Sequence, residues 1–230
     1  MTVTFIYWGK YQGTMDALLC AQERAGCPVV VAMNPPLPDW ASEYDWVRKS
    51  IWRWFVLRDL CNTQKITFPI FTCDWDMLIF RNMVKAYEPF LGYEICRSCD
   101  GKGAWAEAYG INSQGLLNEF CYFIQYVIMA MPELLKDNGD MHAWDLFTKQ
   151  QTLKTADLFE IVNNSVFDHN IHCGEERFVM EGNTKRIHFE NGVPYFTRLT
   201  DNAPIAANLI HCWGDYKTKT RELVYRAGIL

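Results

Sequence analysis

An apolar run interrupted by two carboxylates constrains the fold of this chain more than any other feature. Residues 68–80 are apolar apart from Thr72 and from Asp74 and Asp76, which flank Trp75. A run of this kind predicts a buried strand and its exit, and an unpaired carboxylate costs several kcal/mol in a low-dielectric interior. We therefore expect both Asp residues at the strand end. Because side chains alternate along a strand, Asp74 and Asp76 would share one side and could bind one hard cation.

The residues before this run have the pattern of a parallel α/β unit. Residues 3–8 and 29–33 are short apolar strands, and between them a helix capped by Thr14 is predicted. A strand, helix and strand in such a short span predict parallel pairing. Residues 43–62 show helical periodicity, so a long helix would precede residues 68–80.

A hairpin is predicted near the end of the chain. Two alternating runs within residues 186–196 flank Asn191-Gly192, the strongest short-range hairpin signal. We expect the fold class to be α/β: a single domain over residues 1–230, with a mixed, mostly parallel central sheet flanked by helices and a late β-hairpin. No internal repeat or linker divides the chain.

Composition excludes several classes of partner. The net charge of −5 argues against a nucleic acid polymer, because polyanion binders carry a basic excess. No apolar segment reaches the length of a membrane span, and no signal peptide is apparent at the start. Nine cysteines scattered through apolar patterns suit reduced thiols, so the sequence predicts a cytoplasmic location. The oligomeric state stays open.

A second polar motif follows the apolar residues 205–210. It has the form His211-x-x-Gly214-x-x-Lys217. Mn²⁺ accepts imidazole together with carboxylate ligands, a glycine lets the backbone approach a phosphate, and a lysine supplies a compact positive charge. The motif is therefore typical of a metal-assisted phosphate site.

Together, the Asp-x-Asp strand end and this second motif resemble metal-dependent glycosyltransferases of the GT-A fold, in particular retaining enzymes of the glycogenin and lipopolysaccharide galactosyltransferase kind. The resemblance implies Mn²⁺ or Mg²⁺ bound by Asp74, Asp76 and His211. It also implies a nucleotide-sugar donor, with a UDP-sugar favoured, and a carbohydrate, glycan or protein acceptor. Thr218-Lys219 replaces the usual Pro-Trp of these enzymes, which weakens the inference of retention.

The resemblance also assigns parts of the chain to the two substrates. Residues 1–80 would bind the nucleotide, and residues 81–230 would bind the acceptor and supply the second motif. The predicted nucleotide-binding residues lie at the end of the first strand, in the long helix and in the two motifs: Trp8, Gly9, Arg53, Trp75, Gly214 and Lys217. Arg53 could instead be a surface residue paired with Asp59 or Asp45.

Two acids are candidates for the base that acts on the acceptor. Asp140 begins a predicted helix and could instead cap its backbone. Asp168 is the reserve candidate, and its polar loop, residues 167–172, could equally be a hydrogen-bonded turn.

Other readings of the chain stay open at this point. The paired carboxylates could cap a neighbouring helix, and His211 could be an ordinary core histidine. A nucleotidyltransferase or other metal-phosphate enzyme also uses paired Asp. Such an enzyme is expected to have a glycine-rich loop after the first strand, and residues 9–13 resemble that loop only weakly. A non-catalytic sugar-nucleotide-binding domain would keep the same fold.

Overall fold

A computed structural model describes residues 1–8, 12–41, 46–99, 105–130 and 139–230. The helices are α1 (Gln12–Arg24), α2 (Trp46–Gln64), α3 (Met83–Tyr87), α4 (Gln114–Ala130), α5 (Gly139–Gln151) and α6 (Thr220–Arg226). The strands are β1 (Thr2–Tyr7), β2 (Val29–Met33), β3 (Ile70–Cys73), β4 (Met77–Ile79), β5 (Ile95–Cys99), β6 (Trp105–Ile111), β7 (Thr155–Asp157), β8 (Ser165–Phe167), β9 (Met180–Glu181), β10 (Thr184–Lys185), β11 (Ile187–Glu190), β12 (Val193–Thr197) and β13 (Pro204–His211).

The central sheet is mixed and mainly parallel, as predicted. Its strand order is β2-β1-β3-β6-β5-β7. β1 runs parallel to β2 and β3, and β5 runs parallel to β7, whereas β6 is antiparallel to both of its neighbours. The predicted parallel pairing of the first two strands is confirmed.

Apolar side chains cover both faces of this sheet. Phe5 and Phe71 contribute to a cluster with α1 and α6, while the adjacent Ile6 and Ile70 contribute to a second cluster with α2, α4 and α5. Since neighbouring residues on a strand point to opposite faces, a strand buried on both sides reads as a continuous apolar run. Burial of each large apolar side chain contributes about 1.5–3 kcal/mol, so helices on both faces are required to complete the core.

A second sheet contains the late hairpin. Its order is β11-β12-β13-β4, and β8 pairs in parallel with β13. Asn191 and Gly192 connect β11 to β12, with φ angles of 51° and 76°. Positive φ at both positions is what a two-residue turn compatible with strand twist requires, and the predicted hairpin is confirmed.

The run of residues 68–80 is not one strand, which corrects the sequence prediction. β3 ends at Cys73, the chain turns through residues 74–76, and β4 then joins the second sheet. The turn is closed by a hydrogen bond from Met77 N to Asp74 O (3.2 Å). The charged residues leave the central sheet, whereas the apolar residues that follow are buried again by pairing with β13. Asp74 and Asp76 therefore do not lie at alternate positions of a single strand.

Among the described residues, no helix has both the length and the apolar character needed to cross a bilayer.

Candidate active site

An open cavity of about 330 Å³ lies at the carboxyl ends of β1 and β3. Tyr7 and Trp8 line it from the end of β1, and the turn of residues 74–76 lines it after β3. This is the edge at which open α/β sheets bind their ligands. The remaining described wall residues come from the end of β1, from α2 and from the segment after β13: Ile6, Trp46, Lys49, Ser50, Arg53, Trp213 and Lys217.

Arg53 connects α2 to two carboxylates. Its Nη1 donates to Asp74 Oδ1 (2.6 Å), and its Nε donates to Asp140 Oδ2 (2.9 Å). Trp54 Nε1 donates to the same Asp140 oxygen at 2.8 Å. Arg53 is buried, so the alternative of a surface residue paired with Asp59 is wrong, and Asp59 instead pairs with the neighbouring Arg58. The other suggested partner, residue 45, lies outside the described residues.

Asp140 lies in the first turn of α5 and is completely buried. Its carboxylate faces Arg53 and Trp54, and it is not among the described residues that line the cavity. A buried carboxylate that accepts several hydrogen bonds from one guanidinium fixes the position of that guanidinium. These contacts do not test the predicted role of Asp140 as a base. They show that its carboxylate holds the guanidinium of Arg53.

Asp76 lies between two basic side chains. Its Oδ1 is 3.4 Å from His211 Nε2, and its Oδ2 is 3.2 Å from Lys217 Nζ. The ammonium of Lys217 also lies over the ring of Trp75, 3.7 Å from its centroid. Burial alone would raise the pKa of the Asp76 carboxyl, but His211 and Lys217 outweigh it and lower that pKa below 3.8. Asp76 is therefore a carboxylate at neutral pH.

The backbone brings these two motifs together. β13 pairs antiparallel with β4, which places His211 opposite Met77, and Cys212 N donates to Asp76 O at 3.0 Å. One rung of this ladder thus carries both Met77, the residue after Asp76, and His211. The polar side chains meet because the strands that carry them are hydrogen-bonded neighbours.

The tautomer of His211 follows from its other ring nitrogen. Nδ1 lies 2.8 Å from the backbone carbonyl of His169, and since a carbonyl only accepts, Nδ1 carries the proton. Nε2 faces Asp76 Oδ1, so a proton on Nε2 makes the ring an imidazolium that pairs with the carboxylate. Without that proton, the Nε2 lone pair and the carboxylate are both available to a metal ion, so this end of the site suits one.

Asp74, the remaining predicted metal ligand, does not join Asp76 and His211 in the structure. The Asp74 carboxylate binds Arg53, and among the described residues no group of three His, Cys, Asp or Glu side chains forms a metal-binding set. The structure therefore brings together Asp76, His211 and Lys217, while Asp74 pairs with the guanidinium of Arg53.

A buried ion pair lies behind His211. Asp168 Oδ1 is 2.7 Å from Lys185 Nζ, both side chains are fully buried, and Asp168 Oδ2 accepts from the backbone N–H of His211 at 3.3 Å. The Lys185 ammonium also donates to Asn170 O and lies over three rings, those of Phe159, Phe178 and Phe196. Asp168 is not a cavity-lining residue among those described, and its contacts suit the positioning of the segment that carries His211.

Tryptophans form much of the cavity wall. Trp8 Nε1 donates to Pro35 O at 2.7 Å, and Trp75 lies beneath Lys217. Trp46 and Trp213 expose 53% and 56% of their surface at the cavity. Gly9, the remaining residue predicted at the end of the first strand, lies outside the described residues, as do the other residues of 9–11.

Gly214 begins a 3₁₀ helix, Gly214–Lys219, with a φ of +64°. No atom lies within 4 Å of the position a Cβ would take there. The backbone beside Lys217 is therefore open to a ligand, as the predicted phosphate contact requires.

Several wall and supporting residues were not predicted. Trp46 and Lys49 precede Arg53 by seven and four positions, a spacing that places all three on one face of α2, and this signal was available in the sequence. Lys185 had no such signal, because its partner Asp168 comes from a different segment of the chain.

No family model matches this sequence, and no curated protein sequence matches it. Among solved structures, a glycosyltransferase involved in the glycosylation of the major capsid of PBCV-1 aligns over 96% of this chain and 100% of its own, with a TM-score of 0.61 and 9% identity. The glycosyltransferase GlyE of Streptococcus pneumoniae TIGR4 aligns over 70% of this chain with a TM-score of 0.49 and 16% identity, and the chain spans 46% of its length. The first comparison, which extends over nearly all of this chain, shows that the chain has the fold of a glycosyltransferase.

Proposed function

We propose that this protein is a metal-dependent glycosyltransferase of the GT-A type, which transfers a sugar from a nucleotide diphosphate donor, with a UDP-sugar favoured, to an acceptor. The observation that carries the proposal is the convergence of Asp76, His211 and Lys217 at the carboxyl edge of the central sheet. A carboxylate and an imidazole can bind a cation, and a lysine beside them can bind the diphosphate that the cation accompanies. The fold supports the same reading.

Asp76 and His211 would hold the cation, Mn²⁺ or Mg²⁺, beside the donor's diphosphate. Asp74 would join them when it leaves Arg53. When bound, the cation supplies Lewis-acid neutralisation of the charge that develops on the departing nucleoside diphosphate.

The chain's own residues would orient the donor. Lys217 binds the diphosphate, and its ammonium is already aligned by Asp76 and by the ring of Trp75. Gly214 lets the phosphates approach the backbone. Tyr7 and Trp8 lie at the end of β1, where the base and ribose of the nucleotide would bind.

The stereochemical course and the base are also part of this proposal. Retention is supported by the likeness of residues 211–217 to the motif of retaining enzymes. Asp140 and Asp168 stay predictions as bases, although both carboxylates are engaged in buried ion pairs.

The acceptor is proposed to be a carbohydrate, a glycan or a protein, and the PBCV-1 neighbour acts in the glycosylation of a capsid.

Calorimetry with UDP, in Mn²⁺ and in EDTA, tests the proposal. We expect tight binding in Mn²⁺ only, and a loss of about tenfold or more in Asp76→Asn. Asp201→Asn, which changes an exposed carboxylate paired with Arg198, is the matched control and should bind as the wild type does. Equal UDP affinity with and without Mn²⁺, unchanged by Asp76→Asn, would contradict the metal site.

Hydrolysis of a panel of nucleotide sugars then separates an enzyme from a binding domain. A glycosyltransferase is expected to release the nucleoside diphosphate slowly from its own donor in Mn²⁺, and Asp76→Asn should abolish this release. A domain that binds UDP with Mn²⁺ but hydrolyses no nucleotide sugar would be the non-catalytic alternative. Release of pyrophosphate from a nucleoside triphosphate would instead indicate a nucleotidyltransferase.

A further inference from the structure

Trp213 is a large exposed side chain at a polar cavity. It exposes 56% of its surface and lines the same cavity as Asp76 and Lys217. An indole ring gains free energy when it leaves water, so a ring left open beside a charged site offers a ligand a surface to cover.

The ring of Trp213 is supported from behind. His172 lies beside it, with centroids 6.0 Å apart and planes inclined by 34°, and His172 stacks on Tyr216 at 5.2 Å and 22°. We call these three side chains the aromatic shelf. The backbone of Trp213 is also defined, because it is the extended residue that precedes the 3₁₀ helix Gly214–Lys219. Pre-positioned rings bind a ligand with little loss of side-chain entropy.

The surroundings of Trp213 narrow the class of ligand. The residues that follow it are Gly214, Asp215, Tyr216 and Lys217, so polar and charged groups border the exposed indole along this segment of the chain. A lipid tail requires a longer continuous apolar surface. A pyranose has apolar C–H faces of about the size of one ring and hydroxyls at its edge, which suits an indole beside charged groups.

Trp213 and the residues at the proposed nucleotide end of the cavity come from different strands' ends. Tyr7 and Trp8 come from the end of β1, whereas Trp213 lies two residues after His211, the last residue of β13. A donor whose diphosphate contacts Lys217 and whose nucleoside lies over β1 would extend its sugar away from β1. We propose that Trp213 is the platform of an acceptor subsite and that the acceptor is a glycan, one pyranose of which stacks on the indole. This inference rests on the proposed function and specifies its substrate.

An array of immobilised oligosaccharides, probed in the presence of UDP and Mn²⁺, tests the inference. The wild type should bind at least one group of related glycans. Trp213→Ala should weaken that binding by about tenfold, and Trp213→Phe should retain much of it, because a phenyl ring still stacks. Tyr225→Ala, which removes an exposed aromatic ring of α6 outside the cavity, is the matched control and should bind as the wild type does.

Three results would overturn the inference. The first is that the wild type binds no glycan on the array. The second is that Trp213→Ala binds glycans as well as the wild type does. The third is that Trp213→Ala loses as much affinity for UDP as it loses for glycans. The calorimetric UDP measurement distinguishes these from failure of the proposed function, which would show as no metal-dependent UDP binding in the wild type. Circular dichroism and the melting temperature of each variant establish that it is folded.

Discussion

Arg53 Nη1 donates a hydrogen bond of 2.6 Å to Asp74 Oδ1 and thereby joins α2 to the turn after β3. The same guanidinium also binds Asp140 at the start of α5, so one buried cation connects three segments of the chain. Their relative positions at the cavity depend on this one side chain.

Replacing Arg53 should destabilise the protein strongly. In Arg53→Met, the buried Asp140 carboxylate loses its counter-ion, and we expect the free energy of unfolding to fall by about 3–5 kcal/mol. Arg58→Met removes the exposed pair with Asp59 and should cost less than about 1 kcal/mol. Urea denaturation of both variants measures the difference. Equal losses would mean that the buried pairs contribute no more than the surface pair.

Replacing Lys185 should also destabilise the protein strongly, because Lys185 neutralises a second buried carboxylate. Lys185→Met leaves Asp168 buried without its cation, and a loss of about 3–5 kcal/mol is expected. Lys149→Met, at a pair with Asp145 where the lysine is 73% exposed, is the control and should cost below about 1 kcal/mol.

The double variant Lys185→Met/Asp168→Asn should recover part of this loss, because it removes the unpaired charge. Additive losses in urea denaturation would show that the two side chains do not interact.

Gly214 offers a test of phosphate approach that is separate from backbone strain. Gly214 and Gly228 have φ angles of +64° and +68°, and neither has an atom within 4 Å of its Cβ position. Gly214→Ala and Gly228→Ala should each cost about 1–2 kcal/mol of stability. Only Gly214→Ala should also weaken the binding of UDP with Mn²⁺, since its added methyl group would lie where the proposed function places a phosphate. Similar UDP affinities for the two variants would refute a phosphate contact at Gly214.

The protonation of His172 should make stability depend on pH. Desolvation, followed by the nearby charge of Lys185, lowers the pKa of His172 below 6.5, although Asp168 opposes this. The unfolded chain therefore binds a proton at a higher pH than the folded chain does. The stability associated with the neutral ring is complete above pH 6.5 and is lost as the pH falls through the folded-state pKa.

Unfolding free energies between pH 7.5 and about pH 5 check this expectation. The wild type should lose stability more steeply than His172→Phe over that range, and NMR titration of the His172 ring should give a pKa below 6.5. Parallel pH profiles for the two proteins would show that His172 is not responsible.

Local signals predicted the parts of the fold that depend on neighbouring residues. Asn191-Gly192 indicated the hairpin because a two-residue turn needs positive φ, and the short apolar runs around α1 indicated parallel strands. His211 and Asp76 were predicted together from the chemistry of two motifs, and the two side chains do lie near one another.

The sequence could not show which carboxylate each cation would bind. Arginine and lysine usually lie at the surface, yet Arg53 and Lys185 are both buried. Each pairs with an acid from another segment of the chain, Asp140 and Asp168 respectively. The break after Cys73 was missed for a related reason. Residues 68–80 are apolar enough for one strand, and only the pairing of β4 with β13 shows that the second part belongs to another sheet.

The ladder between β4 and β13 also determines when the site can form during folding. β4 is complete by residue 79, but it lacks its partner until residues 209–211 are present. Contacts between such distant parts of a chain require the closure of a long loop and form slowly. A nascent chain with residues 74–76 already synthesised therefore has no complete binding site, and the capacity to bind donor should appear late, together with the C-terminal strand.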